Sequence, residues 1–140
     1  MTTMTKTYLF TSEGIAAAQR FGDFLRLWFE ANDWTQELPS IWAAANNETG
    51  PHASQMSKLI NGKAEPKPHL FRQLYKFNLA VAQNRPGPMP ADKAWLLAFG
   101  KALHRPDGTP LSAGDFLELY LNIQRPSFVQ LCAKHYENVD

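Results

Sequence analysis

Cysteine is nearly absent: Cys132 stands alone in 140 residues, so no intrachain disulfide forms and a disulfide-stapled scaffold is excluded. Long apolar runs are missing as well. No stretch approaches the roughly 18 to 20 uncharged apolar residues that a membrane-spanning helix needs. Near the start, one lysine (Lys6) and the short run Tyr8-Leu9-Phe10 fall short of a signal peptide's apolar segment. The expectation is a soluble, cytoplasmic protein. Charge is also scarce, at 19% of residues, against 44% hydrophobic and 12% aromatic. That balance excludes a disordered tail, a collagen-like repeat and a highly charged coiled coil. A chain of this length buries roughly 68% of its unfolded surface. It is long enough for one compact domain, or for one small domain with an extension.

The net charge of +1 is unevenly distributed. Residues 1–50 carry Lys6, Arg20 and Arg26 against Glu13, Asp23, Glu30, Asp33, Glu37 and Glu48, a balance of −3. Residues 51–85 carry Lys58, Lys63, Lys67, Arg72, Lys76 and Arg85 against Glu65, a balance of +5, and the remainder holds −1. A local +5 is a patch that a polyphosphate can use, although a solvated basic face has the same composition.

Periodicity points to helices throughout. Thr11 or Ser12 caps a first helix, in which Phe21, Phe24, Leu25 and Trp28 recur at the spacing of one buried face. Gly22 weakens that helix, and Asn32-Asp33 ends it. Glu37 to Asn46 forms a second, with Pro39 in its first turn and Leu38, Ile41, Trp42 and Ala45 on its apolar side. Pro51 opens a third, with Ala53, Met56, Leu59 and Ile60 inward, closed by Asn61-Gly62. After Pro66 and Pro68 a fourth helix buries Leu70, Phe71, Leu74, Phe77 and Val81. The prolines of Arg85-Pro-Gly-Pro-Met-Pro90 make a stiff, extended connector. Lys93–Leu103 reads as helix, and His104–Leu111 as a turn around Pro106-Asp107-Gly108. Ser112 and Asp115 form a capping box ahead of a helix from Phe116 to Ile123. A last short helix runs from Pro126 to about His135. No alternating run competes as a strand, so the fold class is all-α. The division is a reader at 1–85 and a helical extension at 86–140, serving dimerisation or core support.

The run Gly50-Pro-His-Ala-Ser-Gln-Met-Ser-Lys-Leu-Ile-Asn-Gly-Lys63 resembles the recognition helix of the Cro/lambda-repressor-like (XRE) helix-turn-helix family. Ser57-Lys58-Leu59 and Asn61-Gly62-Lys63 match the family's ending, with Ile60 where glutamate is usual. Trp34-Thr-Gln-Glu-Leu38 is similar to its lead-in to the second helix, and Glu65-Pro66 with Leu70 and Leu74 to its fourth. The resemblance covers about residues 21–83. The stretch from Thr35 to Gly50 is about five residues longer than the family's spacing, with the extra length around Ala43 to Thr49.

If the apolar residues of the third helix face inward, His52, Ser54, Gln55, Lys58 and Asn61 lie outward. Their donors and acceptors suit base edges in a major groove: Gln55 pairs with adenine, Lys58 with guanine or a phosphate, and Ser54 with either. The resemblance implies that Ala53, Ser54 and Lys58 face bases and that Gln36, Asn61 and Lys63 hold phosphates. Lys67 and Arg72 extend that phosphate track. Each has a plainer reading as an ordinary polar face, a helix stop or a solvated lysine.

Signatures of catalysis are missing. No GxxxxGK or GxGxxG is present, His52, His69, His104 and His135 are scattered, and one cysteine makes no thiolate cage. Cys132, in an apolar run near His135, reads as a buried thiol rather than a nucleophile. Asp115 and Glu118 share a helix face without an implied acid–base partner. Trp28, Trp34, Trp42 and Trp95 read as core. The expectation is a non-enzymatic, cofactor-free DNA-binding transcriptional regulator of repressor type, acting on double-stranded DNA as a homodimer. The alternative is an adaptor of helix-turn-helix shape, or an antitoxin, that binds a protein partner through 86–140. Exposure of Trp95, Phe99, Phe116, Tyr120, Phe128 and Tyr136 favours the adaptor, and their burial favours the regulator.

Overall fold

The computed structural model describes residues 12–121. Among them are six helices and no strand: α1 (Ser12–Ala31), α2 (Leu38–Ala45), α3 (Ala53–Ile60), α4 (Pro68–Ala82), α5 (Ala91–Ala98) and α6 (Ala113–Leu121). The fold is all-α. No described helix is long and apolar enough to cross a membrane.

Helix α1 is the central strut, with α3 and α6 packed against it, while α4 packs on α2 and α6, and α2 also meets α3. Its inward residues Phe21, Leu25 and Trp28 join Leu70, Leu74 and Phe77 of α4 and Phe116 of α6 in one core. The Trp28 ring lies 5.5 Å from Trp34, 6.1 Å from Phe77 and 6.3 Å from Phe116. Edge and tilted ring contacts of this kind add to area burial in holding the elements together. Leu97 and Leu117 complete the cluster, so residues beyond the proline-rich connector share the core of the first four helices.

Several boundaries differ from those read in the sequence. Helix α3 begins at Ala53 with extended His52 as its N-cap (φ −70°, ψ 156°), so Pro51 precedes the helix and is buried. Helix α5 spans 91–98 rather than 93–103. Just past its end, Gly100 lies against the Trp34 indole with no room for a Cβ. Helix α6 starts at Ala113, three residues before Phe116 and directly after Ser112, so the capping box spans its first turn. In that box Ser112 N–H donates to Asp115 Oδ2 at 2.8 Å, and Asp115 N–H donates to Ser112 Oγ at 3.1 Å. Gly22 does not interrupt α1, which is continuous over 20 residues. Trp95 is 61% exposed and lies outside the core, unlike Trp28, Trp34 and Trp42. The last short helix, Cys132, His135, Phe128 and Tyr136 lie outside the described residues, as does Thr11, one of the two N-cap candidates.

The connector is fastened rather than free. Trp42 Nε1–H donates to Arg85 O at 3.3 Å, and Asn46 Nδ2–H donates to Pro86 O at 2.9 Å. Gly87 takes a left-handed conformation (φ 65°) directly over the Asn46 amide, where any side chain would collide. Beyond α5, the chain runs through an isolated bridge between His104 and Pro110 into α6.

Candidate nucleic-acid interface

Helix α3 is amphipathic over only eight residues. Met56 and Leu59 are fully buried, while Ala53 and Ile60, both expected inward, are half-buried at its edges. Outward lie Ser54, Lys58 and Asn61, at i, i+4 and i+7 on one face, with exposed His52 at the N-cap. Gln55 departs from the expectation: it is half-buried on the helix flank, because its neighbour Met56 turns fully into the core. Among the base-reading candidates, then, His52, Ser54 and Lys58 are open to solvent, and Ala53 and Gln55 are partly covered.

The Asn61-Gly62-Lys63 ending has a definite local role. Gly62 N–H donates to Leu59 O at 3.0 Å and Lys63 N–H to Lys58 O at 2.8 Å, with Gly62 left-handed at φ 70°. Those two bonds make a Schellman cap, which satisfies the last carbonyls of α3. Asn61 Nδ2–H donates to Ser57 O at 2.8 Å, so part of its amide closes the helix. The Lys63 side chain stays exposed.

What fixes the pose of α3 is its contact with α1. A Cβ built on Gly22 would sit 2.5 Å from Leu59 O and 2.9 Å from both Ile60 O and Gly62 N. One on Gly62 would meet the Cα of Gln19 at 3.0 Å. Two glycines thus bring the middle of α1 backbone-to-backbone against the end of α3. Gly22 is the positioning residue that the sequence reading missed. The signal for it was the isolated glycine inside a helical pattern, which marks close packing as often as a weak helix.

The turn between α2 and α3, residues 46–52, is packed. Asn47 is left-handed (φ 56°), Glu48 N–H donates to Ala43 O at 2.8 Å, and Gly50 lies on the Ala43 methyl. Glu48 then reaches Lys76 of α4 at 3.3 Å. One of the six cations of the basic segment is therefore neutralised within the fold.

The remaining phosphate candidates separate into two groups. Lys58, Lys63 and Lys67 are exposed, and no ion pair engages them among the described residues. Arg72 on α4 is half-buried with its Nε closed to solvent, which leaves it less accessible to a phosphate. Gln36 is exposed in the turn ahead of α2, two residues before the helix begins at Leu38. Lys58 also occupies the last turn of α3, where a cation complements the negative end of the helix dipole whether or not DNA is present. Among the described residues, no three His, Cys, Asp or Glu side chains are grouped to hold a metal.

The profile of the domain of unknown function DUF8644 matches residues 12–122. The chain belongs to this family. The DUF8644 match runs from the first residue of α1 to one residue past α6, so it takes in all six helices. No curated protein and no solved structure matches the chain.

Proposed function

We propose that this DUF8644 protein is a sequence-specific, non-enzymatic DNA-binding regulator of the cytoplasm, with α3 entering the major groove of double-stranded DNA. The observation that carries the reading is the run of three exposed lysines, Lys58, Lys63 and Lys67, at and just beyond the end of α3, none in an ion pair among the described residues. Counterion release from phosphates supplies most of non-specific DNA affinity, and cations already neutralised by carboxylates contribute little to it. The resemblance of residues 50–63 to the XRE recognition helix supports the same assignment. Ser54 and Lys58 read bases, His52, Ala53 and Gln55 flank them, and Gln36, Asn61, Lys63 and Lys67 hold the backbone.

Selection from a randomised duplex library at two salt concentrations tests this. Enrichment of one site, with affinity falling steeply in salt, is the expected result. Lys58→Ala then costs about 1–3 kcal/mol at the selected site and relaxes specificity there. Lys63→Ala weakens all sequences alike and flattens the salt slope by about one unit. Unselective or absent retention would falsify the reading and favour the protein-binding adaptor. The specific observation behind that second reading is the exposure of Trp95 and Phe99, although Phe116 and Tyr120, from the same half of the chain, are buried.

A further inference from the structure

Helix α5 turns an aromatic face to solvent. Trp95 is 61% and Phe99 71% exposed, and as i, i+4 neighbours they hold their ring centroids 5.0 Å apart at a 49° tilt. The opposite side of the helix is fixed. Leu97 is fully buried, and the indole N–H of Trp34 donates to Leu96 O at 3.1 Å. Just past the helix, Lys101 N–H donates to Asn32 Oδ1 at 2.7 Å. The two rings are therefore presented by a rigid support, with little ordering left to do on association.

The geometry points to this face as a self-association surface, on which α5 of a second copy packs antiparallel about a two-fold axis. Three features select that occupant. The exposed parts of two such aromatics amount to about 250–300 Å² of apolar surface, since each offers about 150–250 Å² in full. A stable interface needs about 800 Å² per partner, with a central aromatic cluster inside a polar rim, so the pair has the size of such a centre. A two-fold axis between Trp95 and Phe99 places each ring over its counterpart of the other kind, the self-complementarity that an isologous contact requires. The charges also alternate correctly. Asp92 is exposed in the first turn and Lys101 is exposed beyond the last. Asp92 lies about 7 Å along the axis from the midpoint at 1.5 Å per residue, and Lys101 lies three residues past the other end of the helix. The antiparallel arrangement sets each Asp92 beside the partner copy's Lys101 at both ends, whereas a parallel one would oppose like charges.

Sedimentation of the full chain over the micromolar range, without DNA, tests the assignment independently of the DNA reading. A reversible dimer is expected. Trp95→Ala and Phe99→Ala should each weaken it by about tenfold or more and leave the thermal midpoint of the dilute monomer unchanged, because neither ring belongs to the core. Asp92→Lys and Lys101→Asp should each weaken the dimer, and the double exchange should restore it. A chain that stays monomeric overturns the proposal and leaves the aromatic face to a different protein. A dimer indifferent to both alanine variants overturns it too, as does a double exchange no stronger than the single ones.

Discussion

The two sides of α1 are held by different physics. Against α3 the contact is backbone on backbone: Gly22 and Gly62 strip away side chains so that two helices approach with no atom to spare. Toward α6 and the loop before it, ring packing of Phe21 on Tyr120 and of Trp28 on Phe116 is joined by side chains bonding to distant backbone. Arg20 donates to Tyr120 O at 2.7 Å, Trp28 Nε1–H to Lys101 O at 3.0 Å, and Asn32 Nδ2–H to Lys101 O at 3.3 Å. Asn78 of α4 adds a reciprocal pair, donating to Leu103 O at 3.0 Å and accepting from Leu103 N–H at 2.7 Å. A close approach fails when an atom is added. A hydrogen-bonded seam fails when a partner is removed, because a buried polar group left unpaired loses its solvation without return. The element with the proposed reading role is thus fixed by shape, and the loop that follows the proposed self-association helix by polar stitching.

The largest effect should come from the shape-limited side. Alanine is about 0.8–1.0 kcal/mol better than glycine inside an open helix, so Gly→Ala there normally stabilises. At Gly22 the sign should invert. The added methyl meets three backbone atoms that cannot rotate away, and Gly22→Ala should destabilise by about 3 kcal/mol, the upper end of overpacking. Urea unfolding of the two proteins measures it. Unchanged or increased stability would mean that α1 and α3 are not packed as closely as described.

Asn78→Ala tests the stitched side and should cost about 2 kcal/mol. Asn78 is fully buried, and its removal strands the N–H of Leu103, while the Leu103 C=O keeps the Leu111 N–H at 3.1 Å. An Asn78→Leu variant fills the space without supplying hydrogen bonds. If the seam is polar in its energetics, Leu does no better than Ala; recovery with Leu would show that packing, rather than hydrogen bonding, holds it. Trp34→Phe is a finer probe. It keeps an aromatic in the core but deletes the donor to Leu96 O, for about 1 kcal/mol. Trp95→Phe, at a ring with neither burial nor such a bond, should leave monomer stability unchanged. Calorimetric melting of the two variants separates the cases, and equal losses would contradict the contrast between a core and a surface tryptophan.

Local chemistry was legible in the sequence, and long-range approach was not. The apolar spacing of α1 and α4, the left-handed Gly62 and the Ser112–Asp115 box are each decided within a few residues, and the fold follows those expectations. Gly22 has the same local appearance whether it weakens a helix or lets one dock; only α3, nearly forty positions away, distinguishes the two. Tryptophan composition suggested four core rings. Trp28, Trp34 and Trp42 are core, each with its indole N–H satisfied by a carbonyl 43 to 73 residues away. Trp95 is not, because Leu96 and Leu97 turn α5 inward on the opposite side. On α3 the outward set was mostly readable, since Met56 and Leu59 fix the phase of the helix. Gln55 fell on its flank because eight residues make barely two turns, leaving a narrow exposed stripe.

The smallest expected effect lies where the seam reaches solvent. In the turn between the bridged residues His104 and Pro110, the Asp107 carboxylate accepts from Thr109 N–H at 3.0 Å and from Thr109 Oγ1–H at 2.7 Å. The backbone bond first, then the hydroxyl and the charge of Arg105, hold its pKa below the usual carboxylate value. A depressed folded pKa means that the contribution to stability is present above the unfolded value, near 3.9, and disappears as pH falls through the lower folded one. Because the group is fully exposed, salt should shrink the Arg105 share. Thr109→Ala removes the hydroxyl and keeps the leading backbone N–H, so an NMR titration should show the Asp107 midpoint rising only part of the way. A complete return to the ordinary value would assign the shift to the side chain instead. No change at all would show that the hydroxyl contributes nothing and that the backbone N–H, with the Arg105 charge, holds the carboxylate alone.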